Sequence, residues 1–420
     1  MLLAVEKTKS RTGTFVDNLS LPVHRWFRYP AGFSAAWVCS VLKEQGSKRL
    51  FDPFVGSGTS LIAADSIGIE SRGFESHPFV CRIAQAKLSW DFDRKIFDEM
   101  SRELLELAAS RNDVEDRSDD KLLGKIYAPE ILRDLDRLRI SYDELYSGFD
   151  SDESRLLWLG ITSILRSCSF AGTAQWQYVL PNKRKSNAKI PFDAFNSFCT
   201  ILLDDSFRIE IEQWHKKSRV INSDARNPFV SLDGEFDLVV TSPPYPNNYD
   251  YADATRIEMT FWQEVEGWKD LQTTVRKYLM RSCSQHAAAE HLKLEVLLSD
   301  KLLDPIRDEI TAVCEQLAEV RLTKGGKKTY HTMIAAYFLD LANVFMNLRP
   351  VMSRGSLMCF VIGDSAPYGV HVQADKWLAA LAMAAGFKDY NFEKLRDRNV
   401  KWDNRVHKVP LHEGNLWIKG

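Results

Sequence analysis

RLFDPFVGSGTS, residues 49–60, joins a short apolar run to a glycine-rich turn, and TSLIAADSIG, 59–68, follows with a helical pattern that stops at Gly68. The order strand, tight loop, helix is repeated at once. Residues 71–74 are read as a second strand ending at Glu75, and Pro78 falls where the first turn of the next helix tolerates it. Alternating strand and helix favour a parallel sheet, so the chain is read as an α/β protein with a Rossmann-like core.

Working outward, 90–215 changes to amphipathic helical stretches, broken by the polar segment GTAQWQYVLPNKRKSNAK at 172–189. Alternation resumes with RVINSDA (219–225) and FDLVVTSPPY (236–245), each a strand closing on polar residues where a site forms. A second helical stretch covers 253–320. After it come the loop TKGGKK (323–328), a helix at 330–348, a buried strand in SLMCFVIGDS (356–365), a helix at 373–386, and tail strands near 388–395 and 414–419. The expected division is a catalytic domain assembled from 1–90, 216–252 and 329–420, with helical insertions at 91–215 and 253–328.

A strand ending in glycines presents backbone N–H groups and lets a ligand approach the main chain closely. The loop at 55–58 lacks the third glycine of the dinucleotide fingerprint and the Lys-Ser/Thr pair of a phosphate-binding loop, so a ligand without pyrophosphate fits better. Pro53, Phe54, Gly56, Ser57, Gly58 and Thr59 are the loop's candidate contacts. Glu75 at a strand end suits both hydroxyls of a ribose, Asp52 the ammonium of an amino-acid moiety, and Asp224 an adenine amino group.

TSPPY at 241–245 suits a different task. An exocyclic amine conjugated to a base is a poor nucleophile, and acceptors on its N–H groups draw the nitrogen toward a tetrahedral geometry that exposes its lone pair. Ser242 and the carbonyl of Pro243 are the candidate acceptors. Pro243 and Pro244 stiffen the loop, so its carbonyl is aimed with little reorganisation. Tyr245 offers a face on which an extruded base can stack. Taken alone, Ser-Pro-Pro-Tyr is a polyproline-like turn. Its meaning comes from closing a strand downstream of the glycine loop.

As a pair, FDPFVGSGTS and TSPPY resemble the cofactor and catalytic motifs of the DNA amino-methyltransferases, the N4-cytosine and N6-adenine enzymes of restriction-modification systems. The resemblance covers about half of the chain. It implies a seven-stranded sheet with an antiparallel terminal strand, S-adenosylmethionine as cofactor, double-stranded DNA as substrate with the target base flipped out, and a cognate restriction endonuclease as partner. RWFRYPAGFSAAWVCSVL (25–42) looks like the family's motif for the methionine part, with Tyr29 and Phe33 as the choices within it. Serine before Pro-Pro-Tyr is commoner in enzymes acting on cytosine N4, which points to that target; the physics of the two amines is the same. The order of the two motifs excludes the permuted class of the family.

Both insertions stay open as the reader of DNA, with a slight preference for the first. There TAQWQY and NKRKSNAK mix aromatics, amides and charge, and Gln175, Lys183 and Arg184 are candidate substrate contacts. Asn247, Asn248 and Tyr249, just past TSPPY, are candidates for the substrate pocket. Rival readings are amine methylation of RNA or protein, a DNA recognition subunit without chemistry, and an NAD-dependent oxidoreductase, the last disfavoured by the missing third glycine.

Composition adds bounds. The 55 basic and 57 acidic residues give no global attraction to nucleic acid, so a footprint must come from local clusters. Seven cysteines without a Cys-x-x-Cys pair lead to the expectation of free thiols, no disulfide and no zinc or other metal. MLLAVEKTKSRTGTF has five apolar residues before Glu6, too few for a signal-peptide core, and a cytoplasmic protein is expected.

Overall fold

The computed structural model describes residues 16–29, 32–146, 149–173, 179–229, 232, 234–325, 328–398 and 409–420. The opening segment weighed above as a leader lies outside them.

β1 (Arg49–Asp52) and β2 (Glu70–Phe74) pair in parallel, joined through the helix Thr59–Asp65. β3 (Ala171–Thr173) and β4 (Val179–Arg184) form a separate antiparallel hairpin within the first helical stretch. β5 (Ser218–Ile221), β6 (Phe236–Thr241) and β7 (Met352–Gly363) continue the main sheet in parallel, while β8 (Asp389–Arg398) and β9 (Leu411–Lys419) close it as an antiparallel hairpin with β9 against β7. The order is β5-β2-β1-β6-β7-β9-β8. This is the α/β, Rossmann-like methyltransferase arrangement that the motifs imply, with its seven strands and antiparallel end.

The chain runs outward from β1 to β2 and β5, then returns to the other side of β1 with β6. The carboxyl ends of β1 and β6 are therefore neighbours at the point where the strand order reverses, the place where open α/β sheets bind ligands. RLFDPFVGSG and FDLVVTSPPY meet there because each ends one of these two strands.

Alternation along the strands sends successive side chains to opposite faces. Leu50, Leu238, Val240 and Cys359 pack under the helix Ala35–Gln45, whereas Phe51, Val239, Met358 and Phe360 pack against the helices Tyr330–Leu348 and Ala374–Ala384. Both long insertions share these cores. Leu156, Leu157, Phe195 and Leu202 of the first form one buried cluster with Val55, Leu61 and Ile62 beside the glycine loop. Leu303, Ile310 and Leu317 of the second pack with the helix Tyr330–Leu348. All seven cysteines are free thiols, and six of them are buried.

β2 passes close beneath the glycine loop. A Cβ at Gly73 would lie 2.2 Å from Val55 Cγ2 and 2.6 Å from the Asp52 carbonyl oxygen, so the backbone itself would have to move. Gly73→Ala is expected to lower stability by about 1–3 kcal/mol, the usual range for overpacking, read as a fall in the urea unfolding midpoint. An unchanged midpoint would show that the loop yields freely.

Candidate functional site

The glycine loop is built around one buried carboxylate. Asp52, the last residue of β1, is fully buried and accepts the Phe54 N–H at 2.9 Å, the Thr241 hydroxyl at 2.6 Å and the Ser60 hydroxyl. Burial raises its carboxyl to about 6, against the pull of those three donors. Asp52 thus ties the start of the glycine loop to Thr241, the first residue of TSPPY. The ammonium role expected for it does not match this geometry: the side chain is enclosed, and its oxygens are engaged by protein donors.

Beyond Asp52 the loop turns at Gly56 with φ 56°, and a Cβ there would lie 3.2 Å from the Tyr29 ring. Tyr29 is therefore against the loop. Burial first, then the nearby Glu75, Tyr251 and Tyr249, raise its phenol well above the usual range. Phe33 is corrected: it is 4% exposed, meets Trp37 edge to face at 5.9 Å, and belongs to the core under the sheet. Pro53 and Thr59 are buried within the loop framework, and Phe54 packs against the core on the far face.

Glu75 stands at the end of β2, where sequence put it. Its two oxygens accept the backbone N–H groups of Gly56 and His77, each at 2.8 Å. Burial nevertheless holds the carboxyl up at about 7, because removal from water penalises the anion more than these donors favour it. Asp224 accepts Arg226 at both oxygens, the closer contact 2.6 Å, so the adenine role expected of it must share the carboxylate with that guanidinium.

Two polar atoms at this end of the sheet point to a ligand. Ser57 is 2% exposed and its hydroxyl has no hydrogen-bond partner among the described residues. His77 Nδ1 is likewise buried without one, while its Nε2 meets the Thr255 hydroxyl at 2.9 Å and burial lowers the imidazole to about 3. Sequence reasoning missed His77. Its signal was there, in a polar residue between a strand-end glutamate and a helix-starting proline.

In TSPPY, the Ser242 hydroxyl donates to the Val361 carbonyl at 3.3 Å, which turns its lone pairs away from β7. Pro243 is buried and Pro244 partly so. The Arg398 guanidinium lies 5.1 Å from the Tyr245 ring centroid and donates to the Asp364 carbonyl at 2.9 Å. Burial raises the Tyr245 phenol, so the ring is uncharged.

Asn247, Asn248 and Tyr249 line a cavity of about 550 Å³ beside the loop, together with Arg398 and residues of the second insertion. Asn248 takes φ 65°, a value asparagine tolerates, and accepts the Ser284 N–H at 2.8 Å. Lys183 and Arg184 are exposed on β4 away from that lining, with Arg184 against the Phe170 ring at 4.8 Å. Gln175 lies outside the described residues. Asp364, Asp375 and His412 bring one ligand atom each within 4.8 Å of one another, with His412 contacting Asp364 at 3.1 Å and Asp375 at 3.6 Å. No helix among the described residues is long and apolar enough to cross a membrane.

With this geometry in place, comparison with known proteins extends the likeness beyond two motifs. The chain is 24% identical over 464 residues to the type II methyltransferase M.BsoBI of Geobacillus stearothermophilus, covering 99% of this chain and 90% of that protein. It is 25% identical over 428 residues to the type II methyltransferase M.AvaI of Nostoc sp., covering 93% and 83%. A shorter likeness, 33% over 102 residues, joins it to the type II methyltransferase M.MjaII of Methanocaldococcus jannaschii, over 22% of this chain and 19% of that one. No family model matches. Among solved structures, the rRNA methyltransferase aviRa from Streptomyces viridochromogenes superposes with a TM-score of 0.31 at 8% identity, over 93% of this chain and 86% of that one, too low to carry an argument. Since the type II likeness spans the chain, both insertions lie within it.

Proposed function

We propose that this chain is an S-adenosylmethionine-dependent DNA methyltransferase that modifies the exocyclic N4 amine of a flipped cytosine. The observation that carries this reading is the tie through Asp52, which joins a glycine loop to a Ser-Pro-Pro-Tyr loop on adjacent strands. The full-length likeness to type II methyltransferases supports it.

The cofactor fits the first loop. The unpartnered Ser57 hydroxyl and the close approach at Gly56 provide a polar contact and an open main chain, Glu75 a carboxylate for the ribose, Tyr29 a ring beside it, and Asp224 an acceptor for the adenine. When bound, the cofactor supplies an electrophilic sulfonium methyl. The protein's task is then to prepare the amine. Ser242 Oγ and the Pro243 carbonyl accept the amine's two N–H groups, the stiff prolines keep these acceptors aimed, and Tyr245 supports the base. His77, held neutral by burial, adds no charge near the site.

The test is to express the chain in a host without DNA methylation, digest the DNA to nucleosides and identify the modified base by mass spectrometry. N4-methylcytosine is the expected product. N6-methyladenine would overturn the choice of base, and unmodified DNA with methylated RNA or protein would overturn DNA as substrate.

A further inference from the structure

We propose that the second insertion reads the DNA, with Gln285 and Trp268 as determinants of which sequence is modified. The proposal rests on TSPPY being the catalytic loop. The cavity of about 550 Å³ that opens past Pro246 is walled by Asn247 and Asn248 on the catalytic side and by Trp268, Gln285, Lys328 and Tyr330 on the other. Trp268 and Gln285 come from the 253–328 stretch, and Lys328 from its last residue.

The chemistry of that wall is suited to bases. Trp268 is 45% exposed, unusual for so large an apolar side chain. The Arg276 guanidinium lies 4.2 Å from its ring centroid, and Arg276 is itself buried in an ion pair with Asp250 at 2.6 Å. A braced aromatic ring with open surface is a stacking platform for a base. Gln285 carries a donor and an acceptor on one planar group, the combination that reads a base edge in two hydrogen bonds. Lys328 adds a cation for a phosphate.

Two of the carboxylates around the cavity carry a guanidinium partner. Asp250 is paired with Arg276 and Asp253 with Arg256 at 2.9 Å, while burial raises the carboxyl of Asp364 and so weakens its anion. Among the described residues of the first insertion's hairpin, Lys183 and Arg184 stand on β4, outside this lining. That insertion's helix Asp152–Cys168 instead braces the segment after TSPPY, where Arg166 pairs with the buried Glu258 at 2.6 Å and donates to the Ala254 carbonyl at 2.6 Å.

The experiment compares the wild-type chain with Gln285→Ala, Gln285→Glu, Trp268→Ala and Trp268→Phe in a host without DNA methylation. Methylated positions across the host genome are mapped by sequencing that reads the modified base. Both Gln285 variants are expected to relax preference at one position of the recognised sequence by about 5- to 150-fold, with cofactor affinity unchanged. Trp268→Ala is expected to slow modification at every site, and Trp268→Phe to restore it. Variants that bind cofactor normally and keep the wild-type sequence preference and rate would overturn the proposal. Wild-type chain that leaves DNA unmodified would instead overturn the function on which it rests.

Discussion

Ser242→Ala is expected to lower the single-turnover methylation rate by on the order of 10²- to 10³-fold while leaving cofactor affinity in place. The magnitude follows from the atom's position. Its hydroxyl donates to the Val361 carbonyl and also meets the Tyr245 phenol, which leaves a lone pair on the oxygen for a substrate amine, and alanine removes that acceptor from a loop whose prolines prevent another group from replacing it. The bond to Val361 is long at 3.3 Å, and its loss costs about 1 kcal/mol of stability at most. Rate and fold therefore separate: a large kinetic loss with a melting temperature nearly unmoved marks a role in the reaction. An unchanged rate would remove Ser242 from the mechanism and leave the Pro243 carbonyl as sole acceptor.

The parts of this site that sequence made legible are those fixed by local chemistry. RLFDP reads as a buried strand because apolar residues close on a loop, and Gly56 reads as a turn because its backbone takes positive φ. Tyr330–Leu348 is bounded as expected, since an apolar helix entered from a Gly/Lys loop has clear limits. What stayed hidden depends on long-range placement. Asp52 looked like a free strand-end carboxylate, yet Thr241, 189 residues away in sequence, closes over it. Phe33 looked like a site aromatic because its neighbours matched a motif, but the alternating faces of β1 and β6 draw it into the core. The two helical stretches matched no motif and read as insertions, although their apolar faces complete the cores flanking the sheet. Gln285 and Trp268 carry no local signal; only the fold sets them beside Asn247.

Glu75 provides the second large effect, a dependence of cofactor affinity on pH. Its carboxyl is raised from 4.5 to about 7, so near neutrality about half of the unliganded protein carries a proton there. Folding alone favours that proton: the native state binds it more tightly than the unfolded chain, and Glu75 costs stability progressively as pH rises from about 4.5 to 7, then no further. Ribose hydroxyls reverse the preference, because they donate to the anion. Binding of S-adenosylmethionine is therefore expected to release a proton and to tighten up to about tenfold per pH unit as pH rises from 5.5 toward 7, levelling above. Glu75→Gln keeps the shape but has one acceptor oxygen in place of two, while both Gly56 and His77 N–H groups still call for one. Affinity at pH 8 should fall by on the order of 10²-fold, since hydrogen bonds to a charged group contribute about 1.5–3 kcal/mol each, and the pH dependence should vanish with it. Calorimetric titrations in buffers of differing ionisation enthalpy measure both the affinity and the released proton. Wild-type binding with no proton release between pH 5.5 and 7 would place the ribose elsewhere, since a carboxylate that stays protonated beside the bound cofactor cannot be accepting both hydroxyls.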